Sequence, residues 1–424
     1  VLLCLLLWLP AAAAFVMLSR PLVAVGAVAV LAAIGAWGRR RQQVLQRSRS
    51  RGHLLALREA LKLRQALQHK LGLDIGGTLA KIVLASEPKD TPEYSPTRYT
   101  LPNPRSVTHD KLGFTARSGG FSFAFISTPT ETLEETARSI AETVQYPADD
   151  EYREIIATGG GAHRFYDTFR DVLQVELQPL KELHAAVDGL LFLAAEGPTE
   201  ELFTVEAGKE RSVDWPEPLF PFLLVNMGSG VSVVRVDGEN NFTRVGGTAC
   251  GGATFLGLAR ALTGLRDFHE MLELAARGDN NNVDKTVGDI YGNGGCVDLG
   301  MPPAWTAASF GKLAATAAAA PQSEDLVRSL LRMVVQASVV LAKAYASNAG
   351  CMSRIIFAGG FLQDNGLARR EIAESMALVG GRALFCRHSE FLGALGSLGA
   401  CVHHHNKQQS AGAEGAAARQ QQQH

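Results

Sequence analysis

Two glycine-rich turns, each set between short apolar runs, carry the side chains best suited to binding phosphate. The first turn lies in residues 71–84, and its polar and glycine positions are Asp74, Gly76, Gly77, Thr78 and Lys81. Backbone N–H groups at such a turn donate to phosphate oxygens, a carboxylate holds hydrated Mg²⁺, and an ammonium group neutralises developing charge. The pattern predicts a β-hairpin that binds nucleotide phosphate. The alternative is a purely structural hairpin, in which Asp74 caps its own turn and Lys81 is a solvated strand residue.

The same design recurs in residues 222–236, where the turn between two apolar runs contains Gly228 and Gly230. Without a Cβ atom, these glycines let backbone N–H groups approach an anion, and the neighbouring Ser229 and Ser232 add hydroxyl groups. A further glycine cluster then leads into an apolar helix whose N-terminus would carry partial positive charge. Two structural turns would also fit this stretch, so the residues alone leave both interpretations open.

The recurrence of the hairpin predicts two related lobes that face one nucleotide. A third pattern, residues 354–362, is a buried strand that ends at Gly359 and Gly360 and leads into a helix, where a nucleoside could lie on the backbone. Glu182 opens another apolar helix. A lone acid at a helix N-terminus is usually a cap or a partner of the helix dipole, so spacing alone does not assign it to catalysis.

The overall composition excludes several classes of protein. Lys plus Arg number 41 and Asp plus Glu number 42, so no basic field points to nucleic acid as a partner. The six cysteines are scattered without a CxxC pair, which argues against a zinc site or a disulfide framework. A chain of 424 residues is long enough for about two or three lobes with a substantial core.

Both ends of the chain differ in composition from its body. Residues 1–41 hold two apolar runs before a cluster of arginines, and each run is close to the length of about 20 residues that spans a membrane. The alternatives are a signal peptide, a re-entrant hairpin, an untranslated region read through, and a membrane anchor in residues 1–37. An anchor would hold a cytoplasmic catalytic domain at a membrane or organelle. Residues 42–70 predict a helical linker, and residues 403–424 predict a disordered tail rich in Gln, His and Ala.

Several long strings, taken in order, resemble the eukaryotic-type (type II) pantothenate kinases of the actin, hexokinase and Hsp70-like ATPase superfamily. They are LDIGGTLAKIV from Leu73, ATGGGAHRF from Ala157, LKELHAAVDGLL from Leu180, LLVNMGSGVSVV from Leu223, RVGGTACGGATFLGL from Arg244, NNVDKTVGDIYG from Asn281, AASFG from Ala307 and IIFAGGFL from Ile355. The resemblance spans roughly residues 71–400. It implies an α/β fold with two actin-like (ribonuclease H-like) lobes, 71–220 and 221–402, and a nucleotide cleft between them.

The resemblance also implies an activity, its cofactors and its partners. The family uses ATP and Mg²⁺ to phosphorylate the primary hydroxyl of pantothenate, the first step of coenzyme A biosynthesis. Its members are usually inhibited by acyl-CoA, which binds over the same site, and they form homodimers. A catalytically silent acyl-CoA sensor of the same fold is the alternative function.

The same resemblance implies roles for individual residues. Glu182 matches the family's general base, and we expect a partly buried carboxylate with a suitably tuned pKa. The residues that match the binding site for pantothenate and acyl-CoA are Ser229, Ser232 and Arg244. Those that match the phosphate and adenosine loops are Asp74, Gly76, Gly77, Thr78, Lys81, Gly228, Gly230, Gly359 and Gly360. Asp74 would reach the metal through water. Gly360 departs from the pattern, since animal members usually have Asn there.

Overall fold

A computed structural model describes residues 71–86, 104–143, 153–173, 175–314 and 320–398. Contacts within the chain separate Val1–Leu61 from Lys62–His424, and every described residue belongs to the second unit. The predicted apolar segment at 1–41, the linker at 42–70 and the tail at 403–424 lie outside the described residues.

The expectation of membrane or organelle association is corrected by the described part of the chain. Within these ranges, no helix combines the length and the apolar character needed to cross a bilayer. The segment on which the expectation was based, residues 1–37, is not among the described residues.

The first sheet lies early in the described chain and is mostly antiparallel. Its strands are β1 (Leu71–Ile75), β2 (Leu79–Ser86), β3 (Val107–Thr108), β4 (Phe114–Thr115), β5 (Ser122–Pro129), β6 (Arg153–Thr158) and β7 (Val175–Leu180). They lie in the order β3-β5-β2-β1-β6-β7, and β4 pairs with β5. The helices of this lobe are α1 (Leu133–Thr143), α2 (Gly161–Arg164) and α3 (Tyr166–Leu173).

The second sheet has the order β12-β11-β10-β15-β16-β8-β9. Its strands are β8 (Leu202–Glu206), β9 (Lys209–Val213), β10 (Phe222–Met227), β11 (Val231–Gly238), β12 (Asn241–Thr248), β15 (Ile355–Ala358) and β16 (Ala383–Cys386). A separate hairpin consists of β13 (Lys285–Thr286) and β14 (Thr306–Ala308). Strands β8 and β9 belong to this sheet, although both precede residue 221, the predicted start of the second lobe.

The remaining helices follow the first sheet in the chain, and one long helix among them packs against the buried face of the second sheet. They are α4 (Glu182–Glu196), α5 (Gly252–Thr263), α6 (Phe268–Arg277), α7 (Val287–Tyr291), α8 (Ser323–Ala349), α9 (Gly366–Leu378) and the helical residues 392–398, here α10. Leu331 and Val335 of α8 belong to the same core as Val225 and Phe357 of the central strands. The continuous apolar run of β10 is therefore explained by burial on both faces of a central strand.

The two sheets share one topology. In each, three antiparallel strands (β5-β2-β1 and β12-β11-β10) are followed by two strands parallel to the innermost one (β6-β7 and β15-β16). This is the ribonuclease H-like arrangement, present twice. The prediction of an α/β fold with two actin-like lobes is confirmed.

Two helices, α4 and α10, cross at backbone contact distance beside the first lobe. A Cβ atom on Gly189 of α4 would overlap the Leu392 carbonyl, and one on Gly396 would overlap that of Ala185. The Ser397 hydroxyl donates to the Leu73 carbonyl at 3.0 Å, which fixes α10 to strand β1. The guanidinium of Arg117 donates to carbonyls at the C-terminal end of α4, which fixes α4 to the first lobe as well.

Candidate active site

Two adjoining cavities contain almost all the residues singled out by sequence. The first, of about 550 Å³, lies between the lobes and is lined by Asp74, Gly76, Gly77, Lys81, Gly359 and Gly360. The second, of about 580 Å³, is lined by Gly230, Ser232 and Arg244. Four residues line both cavities: Glu182, Asn226, Gly228 and Ser229. Thr78 lines neither; it is exposed in the turn, where its carbonyl accepts from the Thr130 backbone N–H at 2.9 Å.

The first hairpin brings an acid and a base together across two strands. Asp74 of β1 is the cross-strand partner of Lys81 of β2. Burial raises the pKa of Asp74, and the positive charge of Lys81 opposes that rise. Behind the carboxylate, Gly159 has a φ of 85° and follows the end of strand β6. A Cβ atom there would lie 3.0 Å from Asp74 Oδ1, so a larger residue would crowd the carboxylate.

The second hairpin is tied to the start of helix α5 by backbone hydrogen bonds. The Gly252 N–H donates to the Gly228 carbonyl at 2.8 Å, and the Ala253 N–H donates to the Ser229 carbonyl at 3.0 Å. The partial positive charge of the α5 N-terminus therefore lies beside the glycine turn. This placement suits a site that receives negatively charged phosphate oxygens.

The second cavity ends at a cation. The Arg244 Nε donates to the Ser232 hydroxyl at 3.3 Å, and a Cβ atom on Gly247 would overlap the Arg244 guanidinium. Because Gly247 has no side chain, the Arg244 guanidinium can occupy the space beside it. An exposed guanidinium beside a serine hydroxyl is suited to hold a carboxylate with charge-assisted hydrogen bonds.

Glu182 is the first residue of α4 and faces both cavities. The side chain is exposed, so the expectation of a partly buried carboxylate is wrong. Glu182 is exposed because it lies in the first turn of α4, at the place where the two open cavities adjoin.

Sequence reasoning missed Glu390, a buried acid that lines the first cavity. The residue is 7% exposed, and burial raises its pKa to about 7, partly opposed by the charge of Lys81. His109 Nδ1 lies 3.9 Å from its Oε1. His388, two residues earlier, is held by Glu201 at 2.6 Å and by the Leu112 carbonyl at 2.7 Å. No motif in the sequence marks this segment as part of the cleft.

The donor set of the first cavity fits a nucleotide with Mg²⁺. Among the described residues, no group of three or more His, Cys, Asp or Glu side chains could hold a metal ion by itself. Magnesium bound with a nucleotide does not need such a group, because one or two carboxylates, phosphates and water complete its coordination. Asp74 supplies a carboxylate next to the glycine turn, and Lys81 supplies a cation.

Comparison with known proteins agrees with this geometry. The family model described as Fumble matches residues 70–400. The chain belongs to the Fumble family. The chain is 35% identical to pantothenate kinase 1 of Arabidopsis thaliana over 339 residues, which are 77% of this chain and 84% of that protein.

Two further relatives are longer than the region they share with this chain. Pantothenate kinase 2 of Arabidopsis thaliana is 34% identical over 343 residues, 77% of this chain but 38% of that protein. The 4'-phosphopantetheine phosphatase of Mus musculus is 38% identical over 252 residues, 58% of this chain and 30% of that protein. Relatives whose names state different activities, a kinase and a phosphatase, therefore share this region.

Proposed function

We propose that this Fumble-family chain is a pantothenate kinase, which transfers the γ-phosphoryl group of ATP to the primary hydroxyl of pantothenate. The product is 4'-phosphopantothenate, and the reaction is the first step of coenzyme A biosynthesis. One observation carries the proposal: a cavity suited to a nucleotide and a cavity ending in Arg244 meet at a single carboxylate, Glu182. A kinase for a small carboxylated alcohol needs this arrangement.

In the proposed reaction, the nucleotide cavity binds the triphosphate and positions it. Backbone N–H groups of the two glycine turns donate to phosphate oxygens, and Lys81 neutralises part of their charge. Asp74 would hold Mg²⁺ through water, and the metal supplies further neutralisation of the phosphate charge. Gly359 and Gly360 offer a flat backbone surface for the nucleoside.

The second cavity binds and orients the acceptor. Arg244 and the adjacent Ser232 hold the carboxylate of pantothenate, while Ser229, which lines both cavities, orients its hydroxyl end. Glu182 accepts the proton of the primary hydroxyl of pantothenate as the hydroxyl oxygen attacks the γ-phosphorus. A new O–P bond forms, the bond from phosphorus to the ADP oxygen breaks, and the proton remains on the Glu182 carboxyl group.

The acceptor assignment is tested by varying the carboxylate of the substrate. ADP formation by the purified chain with ATP and Mg²⁺ is measured with pantothenate and with the analogue in which an alcohol replaces the carboxylate. We expect turnover with pantothenate and a KM about 10- to 100-fold higher for the analogue, the effect of losing a charged hydrogen bond. Equal KM values, unaffected by Arg244→Ala, would remove Arg244 from this role. Binding of acyl-CoA without any turnover would select the silent sensor instead.

Two further properties belong to the same proposal. Acyl-CoA inhibits by occupying the second cavity, so acetyl-CoA should compete with pantothenate; inhibition that pantothenate cannot relieve would oppose this. The chain also forms a homodimer. Light scattering should give twice the mass of one chain, and a monomer at all concentrations would contradict the dimer.

A further inference from the structure

We propose that Asn226 is a further catalytic residue, whose side-chain amide donates a hydrogen bond to the phosphoryl group as it is transferred. This inference rests on the proposed kinase function and deepens it. Asn226 lines both cavities, so it lies where the nucleotide and the acceptor would meet.

The register of the sheets places Asn226 at the position that Asp74 occupies in the first lobe. Asp74 is paired with Lys81 on the antiparallel side and with Thr158 on the parallel side. Asn226 is paired in the same way with Ser232 and Ala358. The duplicated fold therefore presents a polar side chain to the cleft from the same strand position in each lobe, an acid in the first lobe and an amide in the second.

The Asn226 amide lies beside the backbone of Gly359. Gly359 follows strand β15 with a φ of 107°, and a Cβ atom there would lie 2.6 Å from Asn226 Oδ1. The amide therefore has the Gly359 backbone on one side, while the side chain lines both cavities. The Asn226 side chain is half-buried and has no hydrogen-bond partner among the described residues. Its donors are therefore available to a ligand.

Charge explains why an amide is suited to this position. Lys81 faces Asp74 across the strands and offsets its negative charge, whereas the residue that faces Asn226 is Ser232, which is neutral. A carboxylate at 226 would add negative charge to the cavities that Glu182 also lines, and the residue opposite it in the strand pair is no cation. The amide instead donates to the charge that the phosphoryl oxygens carry in the transition state.

The test compares Asn226→Asp and Asn226→Ala with wild type and with Asn240→Asp, which makes the same charge change in the exposed β11–β12 turn. Binding of ADP and of AMP-PNP, an ATP analogue that is not cleaved, is measured with Mg²⁺. We expect both Asn226 variants to lose at least 10-fold in the preference for AMP-PNP over ADP, with ADP affinity and thermal unfolding close to wild type. Turnover with pantothenate should fall by about 10²- to 10³-fold, as for other donors to transition-state charge. Asn240→Asp should change neither the preference for AMP-PNP over ADP nor turnover with pantothenate.

The binding ratio needs no acceptor, so it separates this inference from the proposed function. If wild type binds AMP-PNP more tightly than ADP through Asn226 but phosphorylates no pantothenate, the phosphoryl contact stands and the proposed substrate fails. An unchanged AMP-PNP to ADP ratio in both Asn226 variants would overturn the inference. So would an equal loss of affinity for both nucleotides, because the amide would then serve the common part of the nucleotide or the fold.

Discussion

The two glycine hairpins occupy the same place in two copies of one sheet, yet they carry different charges. In the first, Asp74 faces Lys81; in the second, Asn226 faces Ser232. Each polar side chain lies against a glycine of positive φ at the end of the adjacent parallel strand, Gly159 or Gly359. The backbone thus supplies the same geometry twice, and at this position the first lobe has a charged pair of side chains where the second lobe has an uncharged pair.

The next strand outward makes a second difference. Across from Lys81 lies Ser127 of β5, whereas across from Ser232 lies Gly247 of β12. Gly247 leaves room for the Arg244 guanidinium, which lines the second cavity. The absence of one side chain in the second lobe therefore lets Arg244 lie at the second cavity, beside the nucleotide cleft.

The largest effect that we expect on stability comes from Glu390, the buried acid on the Lys81 side of the cleft. Its folded pKa is about 7 against an ordinary value of 4.5, so the folded state keeps a proton that the unfolded state has released. The free energy of unfolding should therefore fall as pH rises from about 4.5 to about 7, by as much as about 3 kcal/mol. Glu390→Gln should lack this fall. Urea unfolding between pH 4.5 and 8 checks it.

The control for that experiment is Glu131→Gln, since Glu131 is exposed and pairs with Arg105. Its unfolding curve should follow wild type at every pH. Parallel pH dependences for wild type and Glu390→Gln would show that the buried acid does not hold its proton.

The second lobe can be made to resemble the first by adding a side chain at Gly247. In Gly247→Ala, the new Cβ would overlap the Arg244 guanidinium and the Val231 carbonyl, so Arg244 and the adjoining backbone of β11 must both move. We expect KM for pantothenate to rise about 10- to 100-fold through loss of a charged hydrogen bond. ADP affinity should remain near wild type. Steady-state kinetics and nucleotide titration measure the two quantities.

Gly257→Ala on helix α5 is the matched control, because a Cβ at Gly257 would have no neighbour within 4 Å. It should leave both constants unchanged. If Gly247→Ala also left KM unchanged, the second cavity would not be the acceptor site.

The smallest expected effect follows from making the first lobe resemble the second. Asp74→Asn removes the carboxylate that faces Lys81 while it keeps the shape of the side chain. The Mg²⁺ concentration that gives half-maximal turnover should rise about 10-fold, as expected for a residue that holds a metal through water. A titration of turnover with Mg²⁺ measures this, and an unchanged Mg²⁺ requirement would remove Asp74 from the metal site.

Much of this arrangement could be predicted from local patterns. Strand, glycine turn and strand follow each other along the chain, so both hairpins and their glycines are visible in the sequence. Sheet partners are not local: β8 and β9 join the second sheet through β16, which lies far along the chain. The exposure of Glu182 and the burial of Glu390 depend on packing between distant segments, so no spacing rule could indicate them. Asn226 lies on strand β10 just before the glycine turn, but only the strand register shows that it matches Asp74.

The central claim is that both halves of the cleft act on one acceptor hydroxyl through Glu182. The most direct measurement is formation of 4'-phosphopantothenate and ADP from pantothenate and ATP with Mg²⁺, for wild type and for Glu182→Gln. Wild type should form the two products in equal amounts. Glu182→Gln should lose about 10²- to 10⁴-fold in kcat and keep its affinity for ADP. Folded wild type that forms no phosphopantothenate, or a Glu182→Gln variant that keeps the wild-type rate, would contradict the account.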